Sequence, residues 1–433
     1  MHAGKSCLKY ILTFLTVTAV LLGLLVLSAI IPQSAIKENV RESAEYLCEG
    51  ELFGKVVKDV NSSKIDRYAD SILLGIAYQY DSNKPLTSVM WSSYYHMDYN
   101  NENENLLNAV TNDCEANRQY MRYWHGSNAI VRPLLMVFNI KQIYIFNGII
   151  MALLIVFLCF TLIKNKAYAP AVGVACGLIM TSFWFVPFSL EYTWTYLLML
   201  LMSIIGVKIV LNKKDGAVGI FFLISGMVTN YLDFLTTETL TLTIPLLLML
   251  WVDQKQNPQK DMKAFFKNVG KSVAAWALGY ACMWMTKWLL ASLVLSENVI
   301  PYVSEHIGER IGGDLGIGFF RYIFGAVWNN VKCLFPFEYG AVGLFAGIAL
   351  VIFAVYIGYV YHGKHIDKKW ILLYALIGLI PYIRYVVLHN HSYLHCFFTY
   401  RAQMATVLAI VLILEKMTDG RWHTHANVRK RKK

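Results

Sequence analysis

The chain has 433 residues, 57% of them hydrophobic and 15% charged, with a formal net charge of +11. A soluble protein carries nearer a quarter charged residues, so this composition excludes a soluble globular enzyme and implies a polytopic membrane protein.

In chain order, stretches near the spanning length of ~20 residues fall at 8–31, 141–163, 168–189, 192–211, 216–234, 235–252, 270–295, 339–360, 370–388 and 398–416. The expected fold class is therefore an all-α integral membrane protein of ten transmembrane helices, one polytopic unit over 1–433. The first stretch is read as an uncleaved helix, because its apolar run exceeds that of a signal peptide. Residues 33–128 interrupt the pattern as a long polar first loop, expected to bear interfacial helices outside the membrane. Residues 417–433 form a basic tail.

Charge orients this layout. With the N-terminus inside, the inner segments carry 21 Lys/Arg against 6 Asp/Glu, and the outer ones 15 against 22. Lys/Arg bias in short loops sets orientation, so both termini are expected on the cytoplasmic side. Arg429-Lys430-Arg431-Lys432-Lys433 then reads as a flank on anionic lipid, not as a nucleic-acid site.

The outer helix ends gather acids, arginines, histidines and aromatics, while the inner surface offers mainly lysines. Asp66 and Asp70 in the first loop are four apart. If 65–80 is helical they share a face, with Ile72, Leu73, Ile76 and Ala77 as an apolar stripe. Such carboxylates can act as general bases, hold a divalent cation, or simply cap and solvate the helix. Arg122-Tyr123-Trp124-His125-Gly126-Ser127-Asn128 closes the loop, either as an interfacial aromatic belt or as a surface for sugar rings. Arg132 follows, and His96 lies earlier. Glu191 begins the fourth span. Asp233 and Glu238 flank the fifth and sixth, where acids near membrane depth mark function, pairing or a helix cap. Arg384 and Arg401 border the last outer turn, with His389, His391, His395 and Tyr400 between and beside them. Arginine suits phosphate oxygens, but Arg384 equally suits an ion pair with Glu191, Asp233 or Glu238. His391 and His395 have helical metal-ligand spacing, yet no H-E-x-x-H accompanies them; no cofactor is expected, with a divalent cation left open.

Eight cysteines are scattered without a C-x-x-C. Cys48 and Cys114, both in the first loop, are candidates to pair. Asn61-Ser62-Ser63 is a formal glycosylation acceptor.

Asp66-Arg67-Tyr68-Ala69-Asp70 resembles the D-E-x-R-Y-A-E pattern in the first outer loop of bacterial GT-C glycosyltransferases such as the aminoarabinose transferases. The layout of one helix, a long outer loop and many spans is similar too. Arg122-Tyr-Trp-His-Gly126, Asp233-Phe-Leu-Thr-Thr237 and His391-Ser-Tyr-Leu-His395 with Phe398-Thr-Tyr-Arg401 resemble blocks of a bacterial polytopic group loosely tied to surface-polysaccharide assembly. The first resemblance implies transfer of a sugar from a polyprenyl-phosphate donor to a glycan or lipid acceptor at the outer face of the cytoplasmic membrane. By that carry-over Asp70 is the first candidate base and Asp66 the second. Arg122, His125, Glu191, Asp233, Glu238, Arg384, His391 and Arg401 are the candidate substrate contacts. This reading expects Asp70, Glu238, Arg384 and Arg401 to converge on one cavity. The alternative is a flippase, transporter or polymerase component of polysaccharide export. A flippase is expected to carry an internal repeat and mid-span polar positions, neither of which is clear here.

Overall fold

A computed structural model describes residues 2–312, 316, 318–363 and 366–418; the basic tail beyond Thr418 lies outside the described residues. The described residues contain helices and no strands, only isolated bridges such as Lys55 with Lys64.

The first apolar stretch is α1 (His2–Ala29). The first loop follows with α2 (Lys37–Cys48), α3 (Arg67–Tyr78), α4 (Pro85–Trp91), α5 (Glu102–Thr111) and α6 (Asn128–Leu134). Next come α7 (Ile140–Lys164), α8 (Tyr168–Met180), α9 (Leu190–Leu211), α10 (Val218–Leu232) and α11 (Leu240–Gln256). The remainder is α12 (Met262–Leu295), α13 (Ile300–Gly312), α14 (Phe319–Lys332), α15 (Gly340–Val360), α16 (Lys368–Gly378), α17 (Ile380–Val387), α18 (His389–Leu394), α19 (Cys396–Thr399) and α20 (Met404–Met417).

Seven helical stretches are long and apolar enough to cross a membrane: Cys7–Ala29, Ile140–Lys164, Leu190–Leu211, Met262–Leu295, Gly340–Val360, Lys368–Val387 and Cys396–Met417. The protein is a multi-pass membrane protein. The other three expected spans are shorter helices of 13, 15 and 17 residues. The stretch 168–189 breaks because Ser182 turns into the left-handed region (φ 50°) and a 3-10 turn over Phe183–Phe188 follows. Between α10 and α11, residues 233–239 leave the helix altogether and form a buried connector.

Burial sorts the spans. Within Cys7–Ala29 only 11% of the apolar window is buried, against 72% in Cys396–Met417. The centre is built from α9, α11 and α20, and every residue from Leu240 to Val252 is buried. A helix apolar on all sides belongs in such a position.

The first loop is not a separate body. Val40, Leu47, Leu74 and Val110 share one core with Ile143 of α7 and Leu190 and Trp194 of α9. The helix expected over 65–80 is α3, and its apolar stripe is buried rather than at an interface: Leu73 and Ala77 lie in that core, Ile72 and Ile76 in a second one with Leu25 and Trp124. Two buried cations lock the loop to the bundle through backbone carbonyls. Arg132 donates to Ala77 (2.6 Å), Ile31 (2.6 Å) and Tyr80 (3.1 Å). Lys287 of α12 donates to Val89 (2.9 Å) and Met90 (3.1 Å) at the end of α4. Orphan carbonyls at helix ends need such donors.

Candidate functional site: a polar cavity joined to an aromatic groove

A cavity of about 350 Å³ lies between the first loop and the ends of α9, α18 and α19. Its walls hold Asp66, Arg122, His125, Glu191, His391 and His395. Asp66 is the N-cap of α3 and accepts the Ala69 N–H at 2.9 Å through Oδ1. Its carboxyl also bonds with that of Glu191, whose Oε2 has no partner. Burial pushes Asp66 up to about 6, against the Ala69 N–H and the Glu191 side chain, both of which lower it. Cap and cavity wall are thus one residue.

Asp70 is placed differently. It is fully buried and off the cavity. Tyr144 of α7 donates its hydroxyl to Oδ2, while Ser189 (3.2 Å) and the Leu190 N–H (2.8 Å) at the start of α9 donate to Oδ1. Burial pushes its carboxyl up to about 7, opposed by the Tyr144 hydrogen bond and reinforced by the Asp66 charge. Asp70 is a junction between three helices, whereas Asp66 reaches the cavity.

The 122–128 block is an inner wall, not a surface belt. Trp124 is fully buried and donates to the Met283 carbonyl at 2.9 Å. His125 takes the left-handed region (φ 51°) and its Nε2 meets the Tyr120 carbonyl at 3.0 Å. Burial pushes its imidazole down to about 3, so it is neutral. Gly126 lies so close to α10 that a Cβ there would fall 2.4 Å from Tyr231. Arg122 packs 4.2 Å over the Tyr120 ring and donates to its hydroxyl at 2.9 Å. Its Nε has no partner, and it makes no ion pair among the described residues.

Arg122 and Tyr123 also line a second cavity, a groove of about 580 Å³. One wall is an aromatic ladder on α12, Trp276, Tyr280, Trp284 and Trp288, with successive ring centroids 5.0, 5.6 and 5.6 Å apart. The other walls come from Val303 and Ile307 of α13 and Ile380, Ile383 and Val387 of α17. Trp288 donates to the Arg122 carbonyl at 3.2 Å, fixing the end of the ladder to the shared wall. The ladder repeats every fourth residue, a spacing visible in the sequence but not singled out there.

The connector 233–239 separates the two spaces: Phe234 faces the cavity, while Leu235, Glu238 and Thr239 face the groove. Asp233 lines neither. It accepts from Thr195 (2.8 Å) and from the Thr236 hydroxyl (2.5 Å) and N–H (3.2 Å), and so shapes the connector. Leu235 is held at φ 65°, a strained value for a bulky residue. Its carbonyl accepts from Arg384, whose Nε pairs with Glu238 at 2.9 Å. Of the two uses open to Arg384, the ion pair is the one found. Arg384 also lies 3.4 Å from His391 Nδ1, linking groove to cavity. Arg401 lines neither space; it stacks 4.5 Å over Tyr192 and donates to the Phe397 carbonyl at 3.3 Å. Asp70, Glu238, Arg384 and Arg401 therefore do not converge on one cavity as the transferase reading expects; only Glu238 and Arg384 share a space, the groove. Asp66, Arg122, His125, Glu191 and His391 do converge on one.

His391 and His395 sit side by side, centroids 4.8 Å apart. Among the described residues, no three His, Cys, Asp or Glu side chains are grouped to hold a metal ion. His96 and His389 are on neither cavity; His96 sits 3.0 Å from both Asp98 and Glu102. Cys48 and Cys114 are both free thiols.

No protein-family model, curated protein or solved structure matches the chain.

Proposed function

We propose that this protein is a membrane glycosyltransferase. It moves a sugar from a polyprenyl-phosphate donor to a cell-envelope glycan or lipid acceptor, at the outer face of a bacterial cytoplasmic membrane. Ten spans and cytoplasmic termini are part of this reading, on the charge bias of the loops. The observation that carries it is the shared wall: an acid-lined cavity and an apolar aromatic groove meet at Arg122 and Tyr123.

Each part of a lipid-linked sugar has a matching surface. The isoprenoid chain lies along the α12 ladder, where aromatic rings offer large apolar area. The phosphate meets Arg122, whose guanidinium is not neutralised by a carboxylate. Arg384 is less suited, because Glu238 already pairs with it. The sugar occupies the cavity beside Asp66, His391 and the Tyr68 ring. In the transfer step an acceptor hydroxyl oxygen attacks the anomeric carbon, the bond from that carbon to the phosphate oxygen breaks, and polyprenyl phosphate departs. Asp66 takes the hydroxyl proton; with its carboxyl near 6, it is ionised at neutral pH yet basic enough to serve. Arg122 stabilises the charge growing on the departing phosphate.

The test is reconstitution of the full chain in liposomes with a polyprenyl-phosphate sugar and a mixed envelope acceptor fraction. Release of polyprenyl phosphate in step with glycosylated acceptor is expected. A donor that crosses the bilayer uncleaved would replace this reading with the flippase one.

A further inference from the structure

Behind the cavity wall lies a feature that transfer does not use. Cys333, at the end of α14, and Cys396, at the start of α19, are buried in one small cluster with Leu334 and Tyr400. Their thiols are hydrogen-bonded to each other. The Asn61 side-chain amide lies against both sulfurs, 3.2 Å from Cys396 Sγ and 3.9 Å from Cys333 Sγ. Cys333 also donates to Glu338 Oε1 (3.4 Å), while Glu338 Oε2 accepts the Ser62 N–H (2.7 Å). Three distant segments meet here: the 61–63 turn of the first loop and the two cysteine-bearing helix ends. Two of them lead into the site, since Asp66 follows the turn and His395 precedes Cys396.

We propose that Cys333 and Cys396 are a disulfide site, oxidised as the chain folds on the outer side of the membrane, and that the bond staples the cavity wall. The outer placement rests on the orientation given above; the pairing rests on the contact itself. Bond formation needs an extracytoplasmic disulfide oxidant. One cysteine thiolate attacks the oxidant's disulfide, releasing one of its thiols. The second thiolate attacks the mixed disulfide, closing the Cys333–Cys396 bond and releasing the other thiol. The two cysteine protons end on the oxidant's two thiols, and the oxidant carries away two electrons. Both sulfurs are nearly inaccessible once folded, so exchange precedes burial, and the closed bond is then shielded from reductants.

The experiment is non-reducing peptide mapping of the full chain, solubilised from its own membrane in the presence of an alkylating agent. A cross-linked peptide pair containing Cys333 and Cys396 is expected, with the other six cysteines alkylated on unfolding. Recovery of both residues in alkylated form overturns the proposal. In parallel, thiol reduction during unfolding should lower the wild-type melting midpoint by about 5 °C or more and leave Cys333→Ser unchanged. A wild-type midpoint insensitive to reductant also overturns it, and this arm stands even where the variant fails to fold.

Discussion

The cavity and the groove share a wall and differ in how their charges are settled. In the groove the buried cation and anion, Arg384 and Glu238, pair at 2.9 Å, and apart from Thr239, His306 and the shared Arg122 the lining is aliphatic or aromatic. In the cavity two acids press against each other and Arg122 has no anionic partner. A buried pair that neutralises itself fixes geometry; uncompensated charge is what a substrate can complete. The comparison separates the space that does chemistry from the space that holds a chain.

The sharpest way to break it is Asp66→Asn. The amide keeps an acceptor for the Ala69 N–H, so α3 stays capped, while the proton acceptor is lost. Transfer should fall by about 100-fold or more with donor affinity retained, measured with radiolabelled donor in proteoliposomes. An active variant would remove the base from the cavity.

Arg122→Ala should come next. Loss of a charge-assisted contact to phosphate costs about 1.5–3 kcal/mol, some tenfold to hundredfold in donor affinity, and Arg122→Lys should restore part of it. Titration of donor in nanodiscs reads this directly. If Arg384→Lys weakens donor binding more than Arg122→Ala, the two spaces have been assigned the wrong way round.

How far could these roles be read from residues alone? The multi-pass architecture was legible, because hydrophobic length is a local property. The break at Ser182 and the 233–239 connector were not: both depend on backbone turns inside apolar sequence. Asp66, Glu191, Arg122, His125 and His391 were all singled out as candidates, but their convergence was not readable. That Asp66 lines the cavity and Asp70 does not has a tertiary reason. Asp70 meets its partners on α7 and α9, 74 to 120 residues away, and no spacing within α3 reveals them. The α12 ladder had a clear four-residue signal. The Cys333–Cys396 contact had none.

Trp284→Ala sharpens the groove side. Removing one of the two inner rings of the ladder should weaken a long-chain donor by about 1–2 kcal/mol, roughly tenfold, and leave a donor with a truncated chain nearly unaffected. Equal losses for both would mean that the ladder shapes the cavity instead of holding the lipid.

The smallest effect on transfer, and a distinct one on stability, is expected for Asp70→Asn. Asp70 lines neither the cavity nor the groove, so donor turnover should stay within a few-fold of wild type. Its stability signature follows from its protonation. The folded state holds the proton up to about pH 7, whereas an unfolded aspartate releases it near 3.8. Between those values the unfolded state binds fewer protons, so each rise in pH favours unfolding. Wild-type stability should therefore be highest at the acid end of this window, fall as pH rises through about 7, and then level. Asparagine cannot ionise and should flatten that slope, leaving the shallower part that Asp66 contributes up to about 6. At low pH the variant should be less stable by about 1–3 kcal/mol, because its amide offers one oxygen where Tyr144, Ser189 and Leu190 need two. Thermal melts from about pH 4 to about pH 8 give both quantities. A variant that melts like wild type at every pH but has lost transfer would move Asp70 from the helix junction back into the chemistry.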